Sequence, residues 1–214
     1  MFNDVINNIR KNSIGLVAIS YVRRVINLLY RIIILQNNKM CFDYTCRIEG
    51  LRNIKVSKRI YAGKHFWLAT YEEYYNQSFN PKIIFKGDFS ASDFCHIGAT
   101  NYIEIGNNVL FGSKVYVTDH GHGIYSGNDF HSLPNEPPTK RVLNFDKKVI
   151  IGDNVWVGDN VVILPGVRIG NGCIIGSNAV VTKDIPENCI AIGIPAKVIK
   201  KFREDKGCWF KQSI

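Results

Sequence analysis

The chain has 214 residues, 46% of them hydrophobic, which suits one domain with a buried core and short flanking elements. Its formal net charge of +9 favours a polyanionic partner, such as a phosphorylated cofactor, an acidic glycan or a membrane surface, while the lack of a recognisable nucleic-acid-binding motif argues against DNA and RNA. The six cysteines form no CxxC pair, which predicts reduced thiols in a cytoplasmic protein and argues against a disulfide framework or a zinc site.

An apolar stretch, residues 14–35, dominates the predicted N-terminal segment, residues 1–44. Arg23, Arg24 and Arg31 interrupt it, so we expect neither a membrane-spanning helix nor a signal peptide. Helical spacing places polar residues on one stripe and aliphatic residues opposite, which predicts an amphipathic α-helix. Such a helix either packs on the rest of the chain or a partner subunit, or lies on an anionic membrane surface.

Residues 151–186 repeat every six residues, as IGDNVW, VGDNVV, ILPGVR, IGNGCI, IGSNAV and VTKDIP. The first and fifth positions are apolar, and the second is usually glycine, which we expect to supply positive φ at a turn. A period of six fits neither a helix nor an alternating strand and is typical of a parallel β-helix, in which each hexad is one face of a coil. Positions one and five are therefore predicted to point into a narrow core.

Weaker hexads of the same phase begin at Val56, so the predicted β-helix domain spans residues 45–202 and is followed by a C-terminal tail, residues 203–214. Two insertions interrupt the repeat, at about residues 69–87 and 120–148. Long insertions in a solenoid protrude from one face and often form the binding face.

The repeat and the sequence DIPENCIAIGIPAKVIKKF, residues 184–202, resemble the hexapeptide-repeat acyltransferases. With DHGHGIY and IGDNVW, the chain is similar to bacterial O-antigen, capsule and colanic acid sugar O-acetyltransferases and to galactoside and maltose O-acetyltransferases. The resemblance implies an all-β left-handed parallel β-helix that forms a homotrimer with active sites between subunits.

The same resemblance implies transfer of an acetyl group from acetyl-CoA, without a metal, to a sugar hydroxyl in bacterial surface-polysaccharide or lipopolysaccharide biosynthesis. The basic balance and the amphipathic helix suit a cytoplasmic enzyme that makes peripheral contact with the inner face of the membrane. The acceptor sugar, the acylated hydroxyl and the choice of acetyl over another acyl group stay open.

In that family the catalytic histidine follows a threonine-containing stretch where the coil opens into a loop, and VTDHGH places His120 there. A neutral imidazole has a suitable basicity to remove the proton of a sugar hydroxyl as it attacks a thioester. The resulting oxyanion needs a donor, which we expect to be a backbone N–H near the coil edge. His96 and His131 are predicted to be bystanders.

The resemblance also implies residues that contact the two substrates. Acceptor contacts are predicted for Ser92, Asp93, Asp119, His122 and Trp156. Asp119 alternatively orients an imidazole or caps the turn, His122 alternatively orients the loop, and Trp156 alternatively packs between subunits. Contacts with CoA are predicted for Trp156, Gly158, Ser177, Thr182, Lys183, Gly193, Lys197 and Lys200. Lys197 and Lys200 would bind nucleotide phosphates, and the alternative for this basic segment is a solvated tail.

Three other functions are compatible with a β-helix. An amino-sugar N-acetyltransferase or an antibiotic-modifying acetyltransferase keeps the fold and changes the acceptor. A γ-class carbonic anhydrase needs three zinc-binding histidines across a subunit interface, and the spacing of His96, His120 and His122 does not match that family. A non-catalytic scaffold would leave His120, Trp156 and the basic segment without a role.

Overall fold

The chain begins with a helix, and a long series of short strands follows it. The computed structural model describes residues 13–127 and 130–211. Helix α1 (Ile14–Leu29) is capped by Ser13 and continues into a π-helical turn (Tyr30–Leu35). No helix within these described residues is both long and apolar enough to cross a lipid bilayer.

Three parallel sheets contain most of the strands. Sheet A is built from β1 (Met40–Phe42), β4 (Ile60–Ala62), β9 (Phe89–Ala91), β12 (Val109–Phe111), β17 (Trp156–Val157), β20 (Ile174–Ile175) and β22 (Cys189–Ile192). Sheet B is built from β2 (Arg47–Glu49), β5 (Trp67–Thr70), β10 (His96–Ala99), β13 (Tyr116–Thr118), β18 (Val162–Ile163) and β21 (Val180–Val181). Sheet C is built from β3 (Ile54–Val56), β8 (Lys82–Phe85), β11 (Tyr102–Ile105), β16 (Lys148–Ile151) and β19 (Arg168–Ile169).

The remaining strands are antiparallel and lie outside this pattern. Strands β23 (Lys197–Arg203) and β24 (Cys208–Lys211) extend the end of sheet A. Two small hairpins are formed by β6 (Glu73–Tyr74) with β7 (Gln77–Ser78), and by β14 (Gly121–His122) with β15 (Leu143–Asn144). Short 3₁₀ helices occur at Leu51–Asn53, Pro138–Lys140 and Glu204–Lys206.

The chain visits sheets A, B and C in turn, so each circuit is a coil with three faces and three corners. In the C-terminal part the register repeats every eighteen residues: Trp156 lies opposite Ile174, and Val162 lies opposite Val180. Three hexads therefore make one coil. The predicted arrangement of mostly parallel strands behind one N-terminal helix is confirmed.

The core consists of the hexad positions that the sequence assigned to it. First-position residues are buried: Ile151, Val157, Ile163, Ile169, Ile175 and Val181. Fifth-position residues are buried beside them: Val155, Val161, Val167, Cys173, Ala179 and Ile185. All six cysteines are free, and burial raises the pKa of the Cys46 and Cys95 thiols to about 11, so these thiols stay protonated. The first and fifth hexad positions of residues 151–186 therefore form a buried, mainly aliphatic layer in each coil.

The glycines at the second hexad position serve close packing, which corrects the expectation that they supply positive φ. Positive φ occurs two residues later, at Asn154, Asn160 and Asn178. A Cβ added to Gly170 would lie 2.4 Å from the backbone nitrogen of Glu187 in the next coil. Glycine is needed here because the turns of neighbouring coils stack backbone against backbone.

Helix α1 contacts the first coil through its polar side. Arg23 donates to both carboxylate oxygens of Asp43, at 2.6 and 2.8 Å, and holds the pKa of that carboxyl well below its usual range. Asn27 donates to the same carboxylate, and the Tyr30 hydroxyl donates to the Cys46 carbonyl. Of the predicted placements, packing on the rest of the chain is therefore observed, with the aliphatic stripe turned outward.

Two predicted boundaries differ from the observed strands. The first strand of sheet A starts at Met40, ahead of the predicted start near residue 45. Strand β8 has already rejoined sheet C at Lys82, so the first insertion is shorter than residues 69–87. The second predicted insertion, residues 120–148, falls between β13, which ends at Thr118, and β16, which begins at Lys148. The division into segments 1–44, 45–202 and 203–214 stays a prediction, and residues 1–12, 128–129 and 212–214 within it lie outside the described residues.

Replacing Gly170 by alanine is expected to lower the free energy of unfolding by about 1–3 kcal/mol, because the added Cβ meets backbone that cannot move aside. Urea unfolding of the full chain measures the loss. Gly15→Ala is the matched control: its nearest neighbour is Ser13 Oγ at 4.0 Å, and alanine favours the helix there. Equal stability of the two variants would contradict the packing explanation.

Candidate active site

His120 lies directly after β13, at the corner between sheets B and C where the chain leaves the coil. Its Nδ1 is 2.9 Å from Asp119 Oδ1 and 3.1 Å from Thr118 Oγ1, and its side chain is 14% exposed. Because an ionised carboxylate only accepts hydrogen bonds, Nδ1 of the neutral ring carries the proton and Nε2 keeps its lone pair. Within the described part of the chain, Nε2 makes no hydrogen bond. The ring is therefore held in the tautomer that can accept a proton.

Asp119 is completely buried and is fixed by the backbone of the preceding coil. Its carboxylate accepts hydrogen bonds from the backbone N–H groups of Thr100, Asn101 and Tyr102, at 2.9, 2.8 and 2.7 Å. Acceptor contact for Asp119 stays a prediction, although the side chain has no exposed surface within the single chain. The alternatives weighed for it, orienting an imidazole and capping a turn, both describe what it does.

A cavity of about 250 Å³ opens beside His120 and is lined mainly by aromatic and imidazole rings. Its lining residues are Trp67, Tyr71, Tyr74, His96, Gly98, Tyr116, Thr118, His120, His122 and Leu143. Tyr71 presents its ring edge-on to His120, with centroids 5.9 Å apart, and the Tyr74 hydroxyl is 3.3 Å from Nδ1 of His122. His120 and His122 thus face one space, as a shared site requires.

His96, which the sequence analysis treats as a bystander, also lines this cavity. Its ring stacks on Trp67 with centroids 4.1 Å apart and an interplanar angle of 3°. Burial, reinforced by repulsion from a protonated His120, lowers the pKa of His96 to about 4, so the ring is neutral near pH 7. The buried atoms His96 Nε2 and Trp67 Nε1 find no hydrogen-bond partner within the described residues. The cavity wall therefore offers polar atoms that the chain itself leaves unused.

Gly98 leaves the space between the two imidazoles open. A Cβ at this position would lie 3.3 Å from His96 Nε2 and 3.8 Å from His120 Cε1. Among the described residues, no group of three or more His, Cys, Asp or Glu side chains is placed to hold a metal ion. His131 is exposed on the second insertion, with Nε2 2.8 Å from the Gly127 carbonyl, and does not line the cavity.

The sequence carries a signal for His96 that hexad counting misses. Trp67, His96 and Tyr116 are register partners in successive strands of sheet B. Each directly precedes a buried aliphatic residue, Leu68, Ile97 or Val117. An outward ring before the inward residue of three successive coils predicts a ladder of rings on one face.

The other predicted site residues fall into two groups. Thr182 and Lys183 follow β21 at the corner that His120 occupies, two strands further along sheet B. The corner between sheets A and B, or sheet A itself, holds Ser92, Asp93, Gly158, Ser177, Gly193, Trp156, Lys197 and Lys200. Trp156 is 53% exposed on the outer side of sheet A. A single chain does not bring this second group to His120.

Comparisons with known proteins agree with the repeat and the fold. Residues 148–183 match the family described as bacterial transferase hexapeptide (six repeats). A protein of Escherichia coli K12, provisionally named as the lipopolysaccharide biosynthesis O-acetyl transferase WbbJ, is 43% identical over 129 residues, which are 60% of this chain and 65% of that protein. The galactoside O-acetyltransferase of the same organism is 34% identical over 136 residues, with 58% of this chain and 62% of that enzyme covered.

A solved structure shares the fold at low sequence identity. It is a point mutant of AntD, an N-acyltransferase from Bacillus cereus, with a TM-score of 0.59, 19% identity and coverage of 79% of this chain and 84% of that chain. Residues 148–183 therefore carry a hexapeptide repeat, and the resemblance of the chain to the hexapeptide-repeat acyltransferases is confirmed. The match spans somewhat less than two thirds of the length of each E. coli relative.

Replacing Asp119 by asparagine is expected to shift the neutral His120 ring toward the tautomer with the proton on Nε2, because an amide can donate to Nδ1 where a carboxylate cannot. The ¹⁵N chemical shifts of labelled full-length protein above pH 8 report the tautomer. Thr118→Val is the control, since it removes the other Nδ1 neighbour and leaves the carboxylate in place. A wild-type His120 with its proton on Nε2 would refute the assignment.

Proposed function

We propose that the chain is an acetyl-CoA-dependent O-acetyltransferase that modifies a sugar hydroxyl in bacterial surface-polysaccharide biosynthesis, of O-antigen or capsule, in the cytoplasm. One observation carries the proposal: His120 Nδ1 is bound by buried Asp119 while the ring faces a cavity. The acceptor class rests on the two E. coli relatives, both named as O-acetyltransferases. We also propose, from the same resemblance, that the coils wind as a left-handed β-helix.

In the proposed reaction His120 acts as the general base. Nε2 takes the proton of the acceptor hydroxyl as that oxygen forms a bond to the thioester carbonyl carbon. The tetrahedral intermediate collapses with cleavage of the carbon–sulfur bond, and the imidazolium returns its proton to the departing CoA thiolate. Asp119 holds the ring in place and stabilises the imidazolium that forms between these steps. No acyl-enzyme is involved, since both substrates react directly.

The acceptor, on this proposal, enters the cavity between His96 and His120. Aromatic rings suit the apolar faces of a sugar, and the unpartnered His96 Nε2 and Trp67 Nε1 would then hydrogen-bond its hydroxyls. His122 lies across the same cavity and remains a proposed acceptor contact. Gly98 keeps the gap wide enough for a hydroxyl to reach Nε2 of His120.

The distribution of the other site residues supports assembly between copies of the chain. Thr182 and Lys183 share the corner of His120, where they would contact the pantetheine and phosphate path of CoA. The second group, including Trp156, Lys197 and Lys200, lies on or beside sheet A, away from that corner. We therefore propose a homotrimer in which the sheet A side of one copy faces the His120 corner of another, and Ser92 and Asp93 approach the acceptor only there.

Replacing His120 by alanine is expected to lower acetyl transfer by about 10²–10⁴-fold, because it removes the proposed base, and His96, which faces the same gap, is a weak base with its pKa lowered to about 4. Release of free CoA thiol from acetyl-CoA measures the rate, over a panel of sugars, amino sugars and lipid-linked saccharides. His131→Ala is the control. Undiminished turnover in His120→Ala would remove His120 as the base, and preference for amino sugars would favour N-acetylation.

Replacing Gly98 by alanine is expected to raise the KM for the acceptor several-fold while the KM for acetyl-CoA stays unchanged, because the methyl group fills the gap between the imidazoles. Steady-state kinetics with each substrate varied in turn separates the two constants. Gly121→Ala is the matched control on the same corner, since a Cβ there meets nothing within 4 Å. A change confined to the KM for acetyl-CoA would move the acceptor out of this cavity.

A further inference from the structure

Helix α1 and the turn that follows it expose many aliphatic side chains. The exposed large hydrophobic residues of this segment are Ile14, Leu16, Ile19, Val22, Val25, Ile26, Leu28, Leu29, Ile32, Ile33 and Ile34. We call this set the aliphatic stripe. It contains nearly half of the exposed large hydrophobic residues in the described part of the chain, so it is a concentrated patch of the kind that marks an interaction site.

Specific contacts on the opposite side of helix α1 keep the aliphatic stripe facing solvent. The opposite side of the helix is bound to the first coil by the Arg23–Asp43 ion pair and by Asn27. Val17 and Leu35 are buried at either end of the segment. Because these contacts turn the polar side of helix α1 toward the first coil, its aliphatic side faces away from the rest of the chain.

The positive charge of the molecule is concentrated at this same end. Residues 13–64 hold 10 of the 27 basic residues and 2 of the 18 acidic ones, so they carry +8 of the net charge of +9. Residues 13–42 contain four basic residues and no acidic one. Arg24 is exposed at the margin of the stripe, with its guanidinium 5.2 Å from the centroid of the Tyr21 ring.

We propose that the aliphatic stripe inserts into the interface of an anionic lipid bilayer, with helix α1 parallel to the membrane plane. An aliphatic face flanked by arginine and tyrosine, on an end of excess positive charge, matches the chemistry of such a surface. A second copy of the chain is disfavoured as the occupant, because two ends of like charge would repel each other. The proposal is independent of acyl transfer, since none of these residues lines the His120 cavity.

Vesicle flotation of the full-length protein tests the proposal. The protein is expected to float with phosphatidylcholine vesicles that contain about 30% phosphatidylglycerol, and at least about tenfold less with pure phosphatidylcholine or at high salt. The double variant Ile19→Gln/Val22→Gln is expected to lose binding by a similar factor, since both side chains are solvent-exposed and their replacement leaves the helix contacts intact. Arg24→Gln is expected to weaken binding and reduce its salt dependence.

Phe130→Gln/Leu133→Gln is the matched control, because it removes two exposed hydrophobic side chains of the second insertion that do not line the His120 cavity, and it is expected to bind as wild type does. Circular dichroism of each variant checks folding. Equal binding to neutral and anionic vesicles, or no binding of wild type to either, would overturn the proposal. Light scattering in the absence of lipid covers the alternative: oligomers that Ile19→Gln/Val22→Gln dissociates, without vesicle binding, would assign the stripe to protein contact. Turnover with acetyl-CoA in solution tests the proposed acyl transfer separately, so the failure of one proposal is distinguishable from the failure of the other.

Discussion

Parallel backbone hydrogen bonds between successive coils determine where the core residues and the strand residues of the candidate site lie. They hold each hexad over its counterpart, so that Trp156 stacks between Leu110 and Ile174. A residue type repeated in the sequence therefore becomes a column in space. The buried aliphatic column, the left-handed asparagines at the turns and the ladder of rings on sheet B all arise from this one constraint.

The same constraint builds the candidate site from residues that are distant in sequence. The carboxylate of Asp119 reaches the backbone of Thr100–Tyr102 because the corners of adjacent coils stack, and this fixes the neighbouring His120. His96 enters the cavity because it sits one strand below Tyr116. Strands of sheet B therefore supply half of the described cavity lining, while the second insertion contributes His120, at its first position, His122 and Leu143.

The sequence predicts the repeat and the inward positions well, because a six-residue period is a local property that needs no knowledge of neighbouring coils. The sequence does not predict the features that depend on contacts between coils. The glycine at position 170 is explained by the backbone of Glu187, seventeen residues later, and the role of His96 by Trp67 and Tyr116 in adjacent strands. The direction in which helix α1 faces depends on Asp43, whose buried carboxylate draws in the polar side. The roles predicted for Trp156 and Lys197 rest on resemblance alone, because within one chain both residues lie on sheet A, away from the His120 corner.

The stack of coils also sets distances along the molecule in fixed increments. Strands of one sheet lie about 4.8 Å apart, and β13, which ends beside His120, is the fourth strand of sheet B counted from the end that carries helix α1. His120 therefore lies roughly 15 Å from the first coil, as three strand spacings require. That height can change only in whole steps, by gain or loss of a complete coil. The number of coils therefore sets the distance between the end of the molecule that carries helix α1 and the corner that carries His120.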